Sequence, residues 1–296
     1  METKKIKTLI TAIEKGSLSA ASETLHYTPS AISRSIEALE LELGLLLLTR
    51  SKGGVEPTNA CRILLPSLKQ IVLDEQLLLE HALQLSGKNT GTIRLGLSYK
   101  ALYPWLSCQM ASFKKMNPAI TYMISNGYSS VLLDQVRSRE IDFCIISKRE
   151  TKFNWIPLLT DDLVAILPPG HPLAAMDSVP ITFYNDASFL NVHSYKETDN
   201  ANALNEYGIN PKNIVQLEDN FAMYALAGAG LGIGMDNRIN TLDHLENTVI
   251  KPIDPPQIIE IGIVYGDHVL PVVKELLIHL EQSKIALQKM IAEQQS

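Results

Sequence analysis

Ser30, Ser33, Arg34 and Glu37 recur at spacings that bring them to one side of a helix, at about 100° per residue. That side is small and hydroxylated, with one arginine. A helix with few bulky outward groups can enter a DNA major groove, which is about 12 Å wide. The same face also fits the solvated side of an ordinary helical hairpin. Residue types that would carry enzymatic chemistry are not arranged for it. The seven histidines form no HExxH pair, and there is no GxSxG elbow or phosphate loop. Cys61, Cys108 and Cys144 are far apart and odd in number, a pattern for neither metal nor disulfide, and they sit in apolar runs that suit packing. His171 lies in a Pro/Gly turn and reads as part of a loop rather than a base. The glycines of residues 229–235 miss the dinucleotide spacing and follow a helix. No catalytic residue, metal or cofactor is expected.

The elements that would position the Ser/Arg face are legible. Ile6, Leu9, Ile10 and Ile13 make a first amphipathic helix, stopped at Gly16. After Ser17, residues Leu18, Ala21 and Leu25 line a second helix, and Ala20 and Ala21 are small enough for close helix approach. Thr28 is placed as an N-cap and Pro29 at the first helical position, where its missing N–H costs nothing. Ile32, Ile36, Leu39 and Leu43 then line the buried side of a third helix, opposite Ser30, Ser33 and Arg34. Two short extended pieces around Gly53-Gly54 read as a hairpin carrying Arg50 and Lys52.

Thr58 is placed to cap a long helix reaching to about Ser86. Leu64, Leu68, Ile71, Glu75, Leu78, Ala82 and Leu85 keep a seven-residue pattern there, and a helix this apolar needs a partner. Pro66 lies beyond its first turn and deletes one hydrogen bond, at a cost of about 3 kcal/mol in a regular interior, so a local kink is expected. Residues 87–91 form a polar, glycine-containing linker. Strands and helices then alternate: a strand at 92–97, a helix at 102–116, a strand at 120–124, a helix at 131–139 and a strand at 141–146. That order implies a parallel α/β sheet with ligands at the strand carboxyl ends. A second set follows, with strands at 189–192, 214–217 and 258–265, helices near 201–207 and 221–227, and a closing helix at 272–287.

The chain has 296 residues, 46% of them hydrophobic, enough for two or three domains. The N-terminus lacks an apolar secretory core, and no run of about 18 apolar residues suggests a membrane span, so a bacterial-type cytoplasmic location is expected. Residues 1–88 hold ten Lys/Arg and ten Asp/Glu, without the strongly basic balance usual for a nucleic-acid-binding domain. Yet Lys4, Lys5, Lys7, Arg34, Arg50, Lys52 and Arg62 flank the helix pair, and phosphate contacts depend on where charges sit.

Gly16-Ser17, Ala20-Ala21, Leu25-His26, Ala31-Ile32-Ser33 and Leu39-Glu40-x-Glu42-Leu43-Gly44 resemble the DNA-binding region of LysR-type transcriptional regulators. The resemblance runs on through Leu47-Leu48-Thr49-Arg50 and Val55-x-Pro57-Thr58-x-Ala60. Residues 155–162 and the LPPGHPL stretch at 167–173 resemble the family's passage into a second effector lobe. Leu48 stands where the family usually has an aromatic, Cys61 where it commonly has glycine, and Pro29-Ser30 departs from its common glutamine-containing start.

The resemblance implies a multidomain chain: an α-rich winged helix-turn-helix domain at 1–58, a linker and dimerisation helix with hinge at 59–88, and a two-lobed α/β, periplasmic-binding-protein-like effector domain at 89–296. Lobe I would span about 91–161 plus 267–296, and lobe II about 162–266. Implied partners are double-stranded DNA, a small-molecule effector and further copies of the chain in a homodimer or homotetramer. DNA would meet Ser17, Thr28, Pro29, Ser30, Ser33 and Arg34, with Arg50 and Lys52 near the phosphates. The effector cleft would gather Ser98, Tyr99, Lys100, Asn126, Ser129 and Ser147, with His193 and Ser194 reaching across from the second lobe. Hydroxyls at helix starts, with Lys100 or Lys148 nearby, favour a small organic anion, while Tyr99 and Tyr128 offer stacking faces. The alternative is a two-lobed small-molecule binding protein with no role in gene regulation, against which stand the missing export signal and the helical preface.

Overall fold

The structure is a computed structural model that describes residues 2–51, 54–85, 91–149, 151–192, 197–243, 247–267 and 269–295. The chain divides into two units, Met1–Lys88 and Asn89–Ser296.

In the first unit, α1 (Thr3–Lys15) buries Ile6, Leu9 and Ala12 and ends at Gly16, whose φ of 63° is left-handed. Ser17 caps α2 (Leu18–Leu25), its hydroxyl accepting from the Ala20 N–H, and His26 closes that helix with another positive φ, 55°. Thr28 caps α3 (Pro29–Leu43) through Ala31 N–H at 3.2 Å, with Pro29 at its start. Ile32, Ile36 and Leu39 of α3 are fully buried against α1 and α2. The Glu40 carboxylate accepts from the N–H groups of Leu47 (2.7 Å) and Leu48 (3.1 Å), tying α3 to the hairpin that follows.

That hairpin is β1 (Leu48–Ser51) paired antiparallel with β2 (Gly54–Pro57). Val55 N–H donates to the Gly16 carbonyl at 2.9 Å, and a Cβ on Gly54 would lie 2.2 Å from that same oxygen. Gly54, at φ 127°, therefore lets the wing dock on the end of α1. Thr58 caps α4 (Asn59–Leu85) by accepting from Cys61 N–H, and its hydroxyl donates to the Leu46 carbonyl. Pro66 lies within the helix and faces solvent, as does Arg62, whose carbonyl loses its partner there and can meet water instead. Leu68 is buried in the core of its own unit, so the seven-residue pattern does not form one free stripe. Farther along, Leu78, Leu79 and Leu83 are exposed.

The second unit opens with β3 (Gly91–Leu97), a single 3-10 turn, α5 (Tyr103–Met116), β4 (Ile120–Asn126), α6 (Ser129–Arg137) and β5 (Phe143–Ser147). The long β6 (Asn154–Leu167) leads through β7 (Val179–Pro180), β8 (Ser188–Val192), α7 (Asp199–Glu206), β9 (Asn213–Leu217), α8 (Asn220–Gly228), β10 (Ile233–Asn237) and β11 (Val249–Asp254). Returning β12 (Ile258–Tyr265) precedes α9 (Pro271–Gln282) and α10 (Lys284–Gln295). The main sheet order is β4-β3-β5-β12-β6-β10-β8-β9.

Two parallel triplets, β4-β3-β5 and β10-β8-β9, make the two lobes. They meet at β6 and β12, which run antiparallel to each other. Residues 154–162 of β6 pair with β12, and residues 163–167 pair with β10 and β11, so one strand passes from the first lobe to the second. The parallel order expected from the first three strands is found in β4-β3-β5, and the sheet as a whole is mixed because β6 and β12 cross between lobes in opposite directions. The closing helix is also two helices, since Ser283 interrupts it and its hydroxyl bonds Leu280 O and the Trp105 indole. The glycine run of 229–235 enters strand β10. Gly234 packs under Met223 of α8, where a Cβ would come within 2.5 Å of the sulfur.

Candidate functional site

On α3 the side opposite the core carries Thr28, Pro29, Ser30, Arg34 and Glu37 in the open, with Ser33 half-buried. The Arg34 Nε donates to the Ser30 carbonyl at 3.2 Å, leaving both terminal nitrogens without a partner among the described residues. Ser33 is differently placed: its hydroxyl donates to Glu37 at 2.7 Å and accepts from Arg50 at 2.9 Å. Arg50 also reaches Glu37 at 3.0 Å, and these two contacts hold the Glu37 carboxyl below the usual carboxylate range. Arg50 is thus bonded across to the third helix in this structure rather than standing free for phosphates. Ser17 spends its hydroxyl on the cap of α2, and Lys52 lies outside the described residues. The flanking lysines are engaged as well: Lys5 with Glu42, Lys7 with Glu75, and Lys4 over the Tyr27 ring at 5.2 Å.

In the second unit a cavity of about 100 Å³ lies where the two triplets face each other. From the first lobe come Ser98 and Tyr99 after β3, Tyr128 and Ser129 at the start of α6, and Arg149 after β5. Opposite stand Thr198, Asp199 and Asn200 at the start of α7, Asn220 at the start of α8, and Asp236 and Asn237 at the end of β10. Both sets lie at strand ends and helix starts, as expected for open α/β sheets. Arg149 and Asp199 form an ion pair at 2.7 Å, with side chains only 6% and 9% exposed. The Tyr99 hydroxyl donates to the other Asp199 oxygen at 3.3 Å.

Asp236 is surrounded by donors: Asn220 and Tyr224 on one oxygen, Asn240 and the Asn237 N–H on the other. Burial nevertheless outweighs these bonds and pushes its carboxyl up to about 7. Ser147 is fully buried and stands behind the cavity, bonded to Ser129 at 3.0 Å. Two expected residues are not brought to the cavity. Lys100 is exposed in the 3-10 turn, and Asn126 is exposed at the end of the edge strand β4, where it accepts from Tyr103. Lys148 pairs with Glu260 at 2.8 Å. His193 and Ser194 lie outside the described residues.

Sequence reasoning missed Arg149, Asp199, Asn200, Asn220, Asp236, Asn237 and Asn240. Most lie in the second lobe, and the strand-end rule would have found Asp236 and Asn237 had residues 233–237 been read as a strand. Among the described residues no group of three or more His, Cys, Asp or Glu is placed to hold a metal. Nor is any described helix long and apolar enough to cross a membrane.

A winged helix-turn-helix joined by a long helix to a two-lobed α/β domain defines the class of ligand-controlled bacterial regulators. Residues 3–62 match the bacterial regulatory helix-turn-helix protein model of the lysR family, and residues 86–283 match the LysR substrate binding domain. The chain belongs to the LysR family of transcriptional regulators. It is 26% identical to the transcriptional dual regulator GltC of Bacillus subtilis, over 87% of this chain and 88% of that one. Among solved structures, full-length CbnR complexed with its target DNA shares the fold with a TM-score of 0.69 at 18% identity, covering 96% of this chain and 100% of that one. The effector binding domain of QuiR in complex with shikimate gives a TM-score of 0.56 at 22% identity, over 67% of this chain and 98% of that one.

Proposed function

We propose that this regulator binds an operator through the outward face of α3 and responds to a small effector held between the lobes of its second unit. The observation that carries the first half is the Arg34 guanidinium, exposed on a helix whose opposite side is fully buried, with both terminal nitrogens available to a base or phosphate. Thr28, Pro29, Ser30 and Ser33 share that face. Supporting the second half is a cavity lined from both lobes by Ser98, Tyr99 and Ser129 on one side and by α7, α8 and β10 on the other. Lys100, Asn126 and Ser147 are not part of that lining.

In this reading residues 1–58 read DNA, 59–88 link and dimerise, and 89–296 sense the effector. Exposed Leu78, Leu79 and Leu83 supply the apolar surface for a second copy, and a homotetramer follows if two such dimers pair. The protein works in the bacterial cytoplasm and carries out no catalysis. The test is binding to duplex DNA from the region flanking its own gene. Arg34→Ala should weaken specific binding by about 1–3 kcal/mol if Arg34 reads a base. Unchanged affinity in both Arg34→Ala and Ser30→Ala would remove the assignment of α3.

A further inference from the structure

The balance of donors, acceptors and charge in the cleft fixes the kind of molecule it suits, given the reading of the cleft as the effector site. Arg149 is the single cation among the described residues lining the cavity, and it is already committed to Asp199 in a buried pair. Asp236 adds a second buried carboxyl, and Glu197 an exposed one at the rim. Lys100 and Lys148, which would have received an anion, lie away from this cavity. A ligand carboxylate would therefore enter beside two buried acids with no free positive charge to meet it, which is electrostatically unfavourable.

A simple cation would meet no uncommitted buried carboxylate, only the exposed Glu197 at the rim. Every oxygen of Asp199 and Asp236 already accepts at least one hydrogen bond. The buried groups left over are instead donors: Arg149 Nε and Asn237 Nδ2 have no partner among the described residues, in side chains about nine-tenths buried. Unpaired buried donors are costly, and a ligand that supplies acceptors relieves that cost. Around them stand acceptors. Asn200, Asn220 and Asn240 each commit their amide nitrogen, to Met235 O or to Asp236, so their carbonyl oxygens remain to receive donors. The Ser98 hydroxyl has no partner among the described residues and can serve either way.

We propose that the effector is a small uncharged molecule with neighbouring hydroxyl groups, each accepting from the Arg149 or Asn237 donors while donating to an asparagine carbonyl. A hydroxyl both donates and accepts, which matches this mixture with no net charge. Both donors are shut off from solvent, so a ligand reaches them only when the cleft is open.

The test is thermal unfolding and calorimetry of the full chain with three sets of probes at millimolar concentration: erythritol, ribitol, ribose and myo-inositol; malonate, succinate and citrate; and putrescine. At least one polyol should stabilise the protein, since binding only the folded state raises its stability. Arg149→Lys keeps the charge opposite Asp199 but loses the Nε donor, and Ser98→Ala removes the unpaired hydroxyl. Arg149→Lys should weaken that polyol about tenfold, and Ser98→Ala should weaken it less. Stabilisation by a carboxylate or by putrescine instead, lost in the same variants, would overturn the ligand class and leave the cleft as the site. Polyol binding unchanged in both variants would overturn the cleft itself. No response to any polyol would also overturn the proposal.

Discussion

At the residue scale, the face of α3 is less uniform than its sequence spacing implied. Ser30 and Arg34 are open, whereas Ser33 is locked between Glu37 and Arg50. The helical period was legible because it depends on a few apolar residues. The Ser33–Glu37–Arg50 cluster was not, because Arg50 lies 17 residues beyond Ser33 and meets it only once the wing folds back. If the outward face of α3 approaches phosphates, as proposed, Arg50 offsets the Glu37 charge there. Arg50→Ala should therefore weaken DNA binding, and adding Glu37→Gln should restore part of the loss. A double-mutant cycle on operator affinity reads this directly, and strictly additive effects would deny the coupling.

A second residue-scale consequence concerns pH. Burial raises Asp161 to about 6 and Asp236 to about 7, against an ordinary 3.8. The folded state then holds protons that the unfolded chain has released. This contribution to stability is full below pH 3.8 and is lost as pH rises through 6 and 7. Asp161 accepts from the Ile239 N–H at 3.0 Å, a bond that an asparagine oxygen can also accept. Asp161→Asn should accordingly flatten the fall in urea midpoint between acidic and neutral pH. An identical slope in the variant would show that Asp161 does not titrate there.

At the element scale, the caps carried the sequence reading well. Thr28, Thr58 and Gly16 begin or end helices where their side-chain and backbone chemistry places them. Strand direction was harder. Nothing local in residues 258–265 tells that this strand runs antiparallel to both of its neighbours, since that depends on the chain crossing twice between lobes. Helix α4 shows the same limit. Leu68 and Leu78 share a heptad pattern, yet Leu68 is 4% exposed and Leu78 is 66% exposed. The two positions should respond differently. Leu68→Ala should destabilise the N-terminal unit by about 2–5 kcal/mol. Leu78→Glu with Leu79→Glu should leave folding intact and reduce the assembly to smaller species in sedimentation. Retention of the wild-type assembly in that double variant would move the subunit contact elsewhere.

At the scale of the whole molecule, the lobes of the second unit are joined by more than the crossing strands. The Arg149–Asp199 pair spans the cleft, and Tyr128 on the first lobe donates to the Glu218 carbonyl on the second at 3.2 Å. An effector between the lobes therefore competes with, or adds to, contacts that already hold them together, and its differential affinity for the open and closed arrangements sets the response. The alternation of strands and helices announced an α/β sheet and the family resemblance its two lobes, but the cleft's acids and asparagines came into view only when β10 was placed beside α7 and α8. A LysR-family regulator binds specific DNA, and footprinting of the full protein on the DNA flanking its own gene would show where. Two protected half-sites are expected on one face of the duplex, one helical turn or a multiple apart, and they should weaken in Arg34→Ala. Protection that spreads evenly and is removed equally by unrelated competitor DNA would contradict that expectation.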